Sequence, residues 1–157
     1  ELNEKLFKTL ESIPNLKILA PNHKKRLSIF SFYLENIHFN LVVKLLNDRY
    51  GIQTRGGCSC AGTYGHFLLN VDQETSNKIK DQILEGCSTE KPGWIRLSMH
   101  PTIKDSELDF ICSSLKELCK NIHDWSLDYS YDTTKNDFVH KRVSPAEKGL
   151  VEGWFRI

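Results

Sequence analysis

The sequence predicts a small α/β domain of the two-layer α+β kind, a short sheet with helices packed on one face. Three observations carry that reading. Apolar residues recur every three to four positions in several segments, the signature of one-sided helices. Short runs rich in aromatic and aliphatic residues alternate with them, as half-buried strands do. Glycine and proline stand between the runs and give the order α-β-β-α-β-α-β-α.

Leu2, Leu6 and Leu10, with Phe7 and Ile13 nearby, form the apolar stripe of a first helix that ends before Pro14. Leu16, Ile18 and Leu19 read as a short strand stopped by Ala20-Pro21-Asn22. Residues 27–34 (LSIFSFYL) read as a second, central strand hairpinned to it. Leu41, Val42, Leu45, Leu46 and Tyr50 then follow helical spacing, and Gly51 sits where a left-handed C-terminal cap belongs. Residues 52–55 read as a strand running into a glycine-rich loop. Asp72 suits the N-cap of a helix through Ile79, Ile83 and Leu84 that closes at Gly86. Pro92-Gly93 turns the chain into a strand over residues 94–99. Thr102 and Asp105 resemble a capping box opening a long helix that buries Leu108, Ile111, Leu115, Leu118 and Ile122. Cys112 and Cys119 on that helix read as buried, inert thiols. Residues 126–157 lack sustained periodicity and read as a tail or extension, with residues 1–125 as the domain proper.

The 157 residues suffice for one core, and 21 Lys+Arg against 20 Asp+Glu leave a net charge of +1. That balance gives no electrostatic footprint for nucleic acid or an anionic membrane surface. No apolar run approaches the roughly 20 residues a membrane span needs, and the start Glu1-Leu-Asn-Glu-Lys lacks the layout of a signal peptide. Five cysteines without a regular framework fit a reducing compartment, so the expected location is cytoplasmic. The first residue is not Met, which reads as a processed or excised segment.

The chemistry concentrates in Arg55-Gly-Gly-Cys-Ser-Cys-Ala-Gly-Thr-Tyr-Gly-His66, where two thiols, a cation, four glycines and a histidine share twelve positions. The glycines are expected to bend the backbone away and leave a thiol accessible, and a neighbouring guanidinium favours the nucleophilic thiolate. Cys58 and Cys60 are both candidates, with His66 as an auxiliary acid or base. A zinc site would draw on Cys58, Cys60 and His66, but only Cys87 offers itself downstream in place of a second ligand pair. No metal is expected. Arg96 lies inside an apolar strand with Trp94 and Ser98 on the same side by the two-residue period. A planar fork so placed suits bidentate binding of a carboxylate.

The succession of residues 13–16 (IPNL), 26–32 (RLSIFSF), 45–61 (LLNDRYGIQTRGGCSCA) and 93–98 (GWIRLS) resembles the C-terminal small domain of class V aminotransferase-fold, fold-type I enzymes that use pyridoxal phosphate (PLP). It is most similar to the cysteine desulfurase and selenocysteine lyase branch, and the resemblance covers residues 1–123. It implies that the family's R-x-G-x-x-C-A loop falls on Arg55, Gly57, Cys60 and Ala61, making Cys60 the sulfur-accepting nucleophile. It also implies that Arg96 holds the substrate carboxylate, with Arg55 assisting, and that the substrate is L-cysteine or a similar amino acid. A large domain of the same chain would bind PLP through a Schiff-base lysine, so the 157 residues by themselves are expected neither to hold PLP nor to turn over substrate. A homodimer and a sulfur-acceptor protein complete the implied partners. The stretch after Ala61 and Cys58 itself depart from better-known desulfurases. Two other readings stay open: a class V transaminase or lyase acting on another amino acid, with incidental thiols, and a non-catalytic module that binds a partner through Trp125, Tyr129, Tyr131 and Trp154.

Overall fold

The computed structural model describes residues 1–58, 62–87 and 89–142. In chain order the elements are α1 (Leu2–Glu11), β1 (Leu16–Ile18), β2 (Ile29–Leu34), α2 (Phe39–Tyr50), β3 (Arg55–Gly57), α3 (Gly62–Leu68), α4 (Gln73–Leu84), β4 (Trp94–Ser98), α5 (Asp105–Ser126), β5 (Tyr129–Asp132) and β6 (Asp137–His140). The first four strands form one sheet in the order β1-β2-β4-β3, and β5 pairs with β6 in a separate two-stranded sheet. Every pairing is antiparallel. The domain is therefore α+β in two layers, with β2 in the sheet interior and hairpinned to β1.

Side chains alternate across a strand, and the alternation decides which face of the sheet is covered. Phe30, Phe32 and Leu34 of β2 and Ile95 and Leu97 of β4 are buried, and the register places Phe30 opposite Leu97 and Phe32 opposite Ile95. Against that face pack Leu6, Phe7 and Leu10 of α1, Val42, Leu45 and Leu46 of α2, and Leu108, Leu115, Leu118 and Ile122 of α5. Each such side chain contributes roughly 1.5–3 kcal/mol on burial. The opposite face presents Ile29 and Ser31 from β2, Trp94, Arg96 and Ser98 from β4 and Arg55 from β3.

Two boundaries differ from the sequence expectation. The third strand is residues 55–57 rather than 52–55, because Gly51 N–H bonds Asn47 O and Ile52 N–H bonds Leu46 O, completing the end of α2. Gly51 takes the left-handed conformation there, with φ 66°. The long helix starts at Asp105, and the carboxylate that caps it is Glu107, which accepts from the Lys104 N–H at 2.8 Å. Thr102 is engaged elsewhere, its hydroxyl 2.7 Å from His100 Nδ1. Asp72 caps α4 as expected, accepting from Thr75 N–H at 2.7 Å. Burial pushes the Cys119 thiol up to about 12, and Cys112 is buried in the core.

Residues 129–140, within the segment read as a tail, form a hairpin folded back on the domain itself. The Tyr129 hydroxyl donates to Asp48 Oδ2 at 3.0 Å, and Arg49 lies 3.8 Å over the Trp125 ring. Tyr131 and Phe138 pack on His38 at ring distances of 5.2 and 5.5 Å. These described aromatics are thus engaged in internal packing; Trp154 lies outside the described residues.

His38 is the N-cap of α2, and its Nδ1 accepts from the Asn40 N–H at 3.2 Å. Its ring stacks on Phe39 at 4.6 Å, and its buried Nε2 has no hydrogen-bond partner among the described residues. Burial among these uncharged rings holds its pKa below the ordinary 6.5. Protonation would also make Nδ1 a donor and cancel the cap. The unfolded chain therefore binds this proton more tightly than the folded one, and stability falls as pH drops below about 6.5 until the lower folded pKa is passed. Urea unfolding between pH 8 and 5 should show this slope, and His38→Asn, which retains a capping side chain, should flatten it. An unchanged slope in the variant would assign the pH dependence to other groups.

Candidate active site

Arg55 and Arg96 are direct cross-strand partners of β3 and β4, and Ser31 of β2 stands opposite Arg96 on its other side. Opposed residues of an antiparallel pair project to the same face, with Cα atoms about 4.5–5.5 Å apart. The two arginines thus project from neighbouring strands to the same face of the sheet, the one opposite α1, α2 and α5. Arg55 is exposed and Arg96 half-buried. Like charges placed directly opposite are destabilising, and no carboxylate among the described residues ion-pairs with either arginine. A planar, two-cation row of this kind suits a carboxylate brought in from outside the described residues.

The two glycines between Arg55 and Cys58 have different jobs. Gly57 has φ +116°, a conformation that side-chain-bearing residues rarely adopt; it turns the chain off the strand toward Cys58. Gly56 faces α2, where an added Cβ would lie 2.9 Å from Asn40 Oδ1 and from the Phe39 ring. The first glycine therefore admits a close helix approach rather than freeing the loop, a correction to the reading of both as loop hinges.

After the loop comes α3, which the sequence reading left inside the loop. A Cβ at its Gly65 would sit 3.2 Å from the Trp94 ring and 3.6 Å from Cys58 Cβ. Gly65 thus lets the helix rest on Trp94, which is buried although it points to the face opposite the core. Tyr64 and Phe67 of α3 are exposed and stacked on each other at 6.2 Å. The short spacing of Tyr64, Phe67 and Leu68 was the available helical signal, outweighed by glycines at 62 and 65.

Cys58 is half-buried. Together with Gly62, His66, Ile79, Ile83, Leu84 and Pro92 it lines a cavity of about 280 Å³, with Lys80 and Lys91 at its wall. His66 Nδ1 lies 3.0 Å from the Ser76 hydroxyl, which ties α3 to α4. The fold therefore brings Arg55 beside Arg96 and Cys58 beside His66, with Trp94 two residues from Arg96 between the pairs. Cys60 lies outside the described residues. Cys87, which the sequence reading considered only as a metal ligand, has its pKa lowered by a hydrogen bond from Thr89, 3.3 Å away.

The arrangement can be tested against the PLP that the resemblance implies. A seat for that cofactor needs a lysine for the Schiff base and a carboxylate for the pyridine nitrogen. The cavity beside Cys58 has two lysines and no carboxylate in its lining, and the arginine row has neither. The described residues fit a carboxylate-binding wall and do not fit the seat of the cofactor.

A search of curated proteins finds no match to this chain. The family model described as aminotransferase class-V matches residues 1–111, from α1 into the first turns of α5. That span is well over half of the 157 residues and contains the whole four-stranded sheet with both arginines. The chain belongs to the class V aminotransferase family, whose enzymes are PLP-dependent.

Proposed function

We propose that this chain is the small, C-terminal domain of a PLP-dependent enzyme of the cysteine desulfurase type, contributing the carboxylate clamp and the sulfur-accepting thiol. The observation that carries the reading is the like-charged Arg55–Arg96 pair at the mouth of a loop holding Cys58 and Cys60. Such a pair is unfavourable unless an anion fills it, and an amino-acid carboxylate is the anion that family membership supplies.

In this reading Arg96 holds the carboxylate in bidentate fashion and Arg55 assists from the neighbouring strand. PLP, bound by a large domain, supplies the electron sink that allows the bond between substrate Cβ and sulfur to break. The Cys60 thiolate forms a new S–S bond to that sulfur, and the substrate carbon takes a proton to become the methyl group of alanine. Carbon is reduced and sulfur oxidised to the persulfide level, so no external oxidant enters. Cys58, close to Gly65, is in this reading a bystander, relay or resolving thiol. Such an enzyme would work as a homodimer and pass sulfur to an acceptor protein. None of the described helices is long and apolar enough to cross a membrane.

The test is to incubate the intact, PLP-loaded enzyme with L-cysteine, follow alanine, and map added sulfur by peptide mass spectrometry. Alanine with a persulfide on Cys60 is the expected result, and both should disappear in Cys60→Ser. The second reading, a transaminase or lyase acting on another amino acid, is favoured by the same arginine row, which needs no thiol. It predicts no alanine and an unmodified loop, and activity that survives Cys60→Ser.

A further inference from the structure

The β5–β6 hairpin and most of α5 lie beyond the residues that match the family model. The hairpin nevertheless reaches the part of the domain that positions the site. Asn40, near the start of α2, donates its side-chain amide to the Asn136 main-chain oxygen at the hairpin turn. The other end of the same amide, Oδ1, lies against Gly56 of β3, where a Cβ would come within 2.9 Å. The adjacent Phe39 ring makes a second bridge. It touches Gly56 and closes on Gly93, where a Cβ would be 2.5 Å away. On its other face it stacks on His38, which Tyr131 and Phe138 enclose. Tyr131 also locks the turn, its hydroxyl donating to Asn136 Oδ1 at 2.7 Å.

Gly56 follows Arg55, and Gly93 precedes the strand bearing Arg96. Phe39 is buried, His38, Asn40, Asn136 and Phe138 are partly buried, and an added Cβ at either glycine would fall within 3 Å of Phe39. Close-packed contacts of that kind transmit displacement rather than absorb it.

We propose that the β5–β6 hairpin braces the active-site strands through the relay Phe138–His38–Phe39 and Asn136–Asn40, setting the position of β3 and of Cys58 just beyond it. Asn40 and Phe39 are positioning residues: they touch neither substrate nor cofactor and act through Gly56 and Gly93. The catalytic consequence of the brace rests on the function proposed above; its mechanical part does not.

The experiment uses the full-length, PLP-loaded protein with Phe138→Ala, which removes a hairpin ring without altering any residue of the four-stranded sheet. Asn136→Gly is the milder partner: it deletes the acceptor of the Tyr131 hydroxyl, and glycine keeps the positive φ of 49° found at that position. Two readouts are independent of turnover: amide hydrogen exchange over residues 55–57 and the rate at which iodoacetamide alkylates Cys58. Both should rise at least three-fold in Phe138→Ala and by less in Asn136→Gly, while amides in the buried middle of α1 exchange as in wild type. KM for the amino acid should rise several-fold in the same order. Faster exchange confined to residues 129–140, with wild-type Cys58 alkylation, would overturn the brace and leave the hairpin a structural appendage. If the enzyme releases no alanine from L-cysteine, the desulfurase reading fails, and the exchange and alkylation results still decide the brace.

Discussion

Replacing Arg96 by alanine is expected to raise the KM for the amino-acid substrate about 100-fold, equivalent to about 2.7 kcal/mol, without lowering the stability of the fold. Arg96 sits between Ser31 and Arg55 in the cross-strand row and ion-pairs with no carboxylate among the described residues. On the proposed function its loss would remove charge-assisted bonds to the substrate made before as well as during reaction, so the defect should fall mainly on KM. The same change relieves repulsion from Arg55, which should leave the urea midpoint unchanged or raise stability by up to about 1 kcal/mol. Arg96→Lys should recover only part of the affinity, because an ammonium lacks the planar fork. Steady-state kinetics alongside urea unfolding separate the alternatives. A variant that loses stability but keeps its KM would make Arg96 a structural residue and remove the main support for the proposed function.

Gly93→Ala is expected to destabilise the protein by roughly 2–3 kcal/mol and to impair the site as well. An added Cβ would lie 2.5, 2.7 and 2.8 Å from three carbons of the Phe39 ring. That ring cannot yield, since it is buried, stacked on His38 and pressed against Gly56 on β3. The strain must move α2 or the start of β4, and Trp94 and Arg96 move with the latter. Gly62→Ala is the matching control: none of the described residues that it could meet lies within 4 Å of its ideal Cβ, its φ is not positive, and it stands in α3. There alanine should be neutral or stabilising by up to about 1 kcal/mol. Urea midpoints measured for the two variants check the pair. Equal midpoints would mean that α2 is free to shift and that its contact with the glycines is not tight.

Patterns of period two and 3.6 were enough to locate α1, α2, α5, β1, β2 and β4, because each buries one regular face and writes that face into the sequence, whereas α4 buries only Ile79 and leaves Ile83 and Leu84 exposed. Leu6 and Leu10, Phe30 and Phe32, and Leu108, Leu115 and Leu118 are all in the core where their spacing placed them. Local cap chemistry was equally legible at Gly51 and Asp72. The α3 helix and the β5–β6 hairpin were not. Their few residues are held by partners far along the chain: Gly65 by Trp94, Tyr129 by Asp48, Asn136 by Asn40.

The site divides the same way. The residue types themselves, an arginine in an apolar strand and a glycine-rich loop with two thiols, are visible in the linear sequence and point to an anion clamp and a nucleophile. That Arg55 stands directly opposite Arg96 depends on the register of β3 against β4. A slip of one residue would send the side chain to the other face of the sheet. Likewise, Gly56 and Gly57 are identical as letters. Only the approach of α2 makes one a contact glycine, and only the turn toward Cys58 makes the other a left-handed one. Sequence alone therefore determined most of the elements, the core and the chemical groups available, because these follow from local periodicity and residue type. Tertiary structure decided the pairing of the two arginines, the enclosure of Cys58 by α3 and α4, and the folding back of the hairpin. Those depend on contacts between residues up to about a hundred positions apart, as between Asn40 and Asn136, whose closure is set by the summed packing of the whole domain and leaves no local mark.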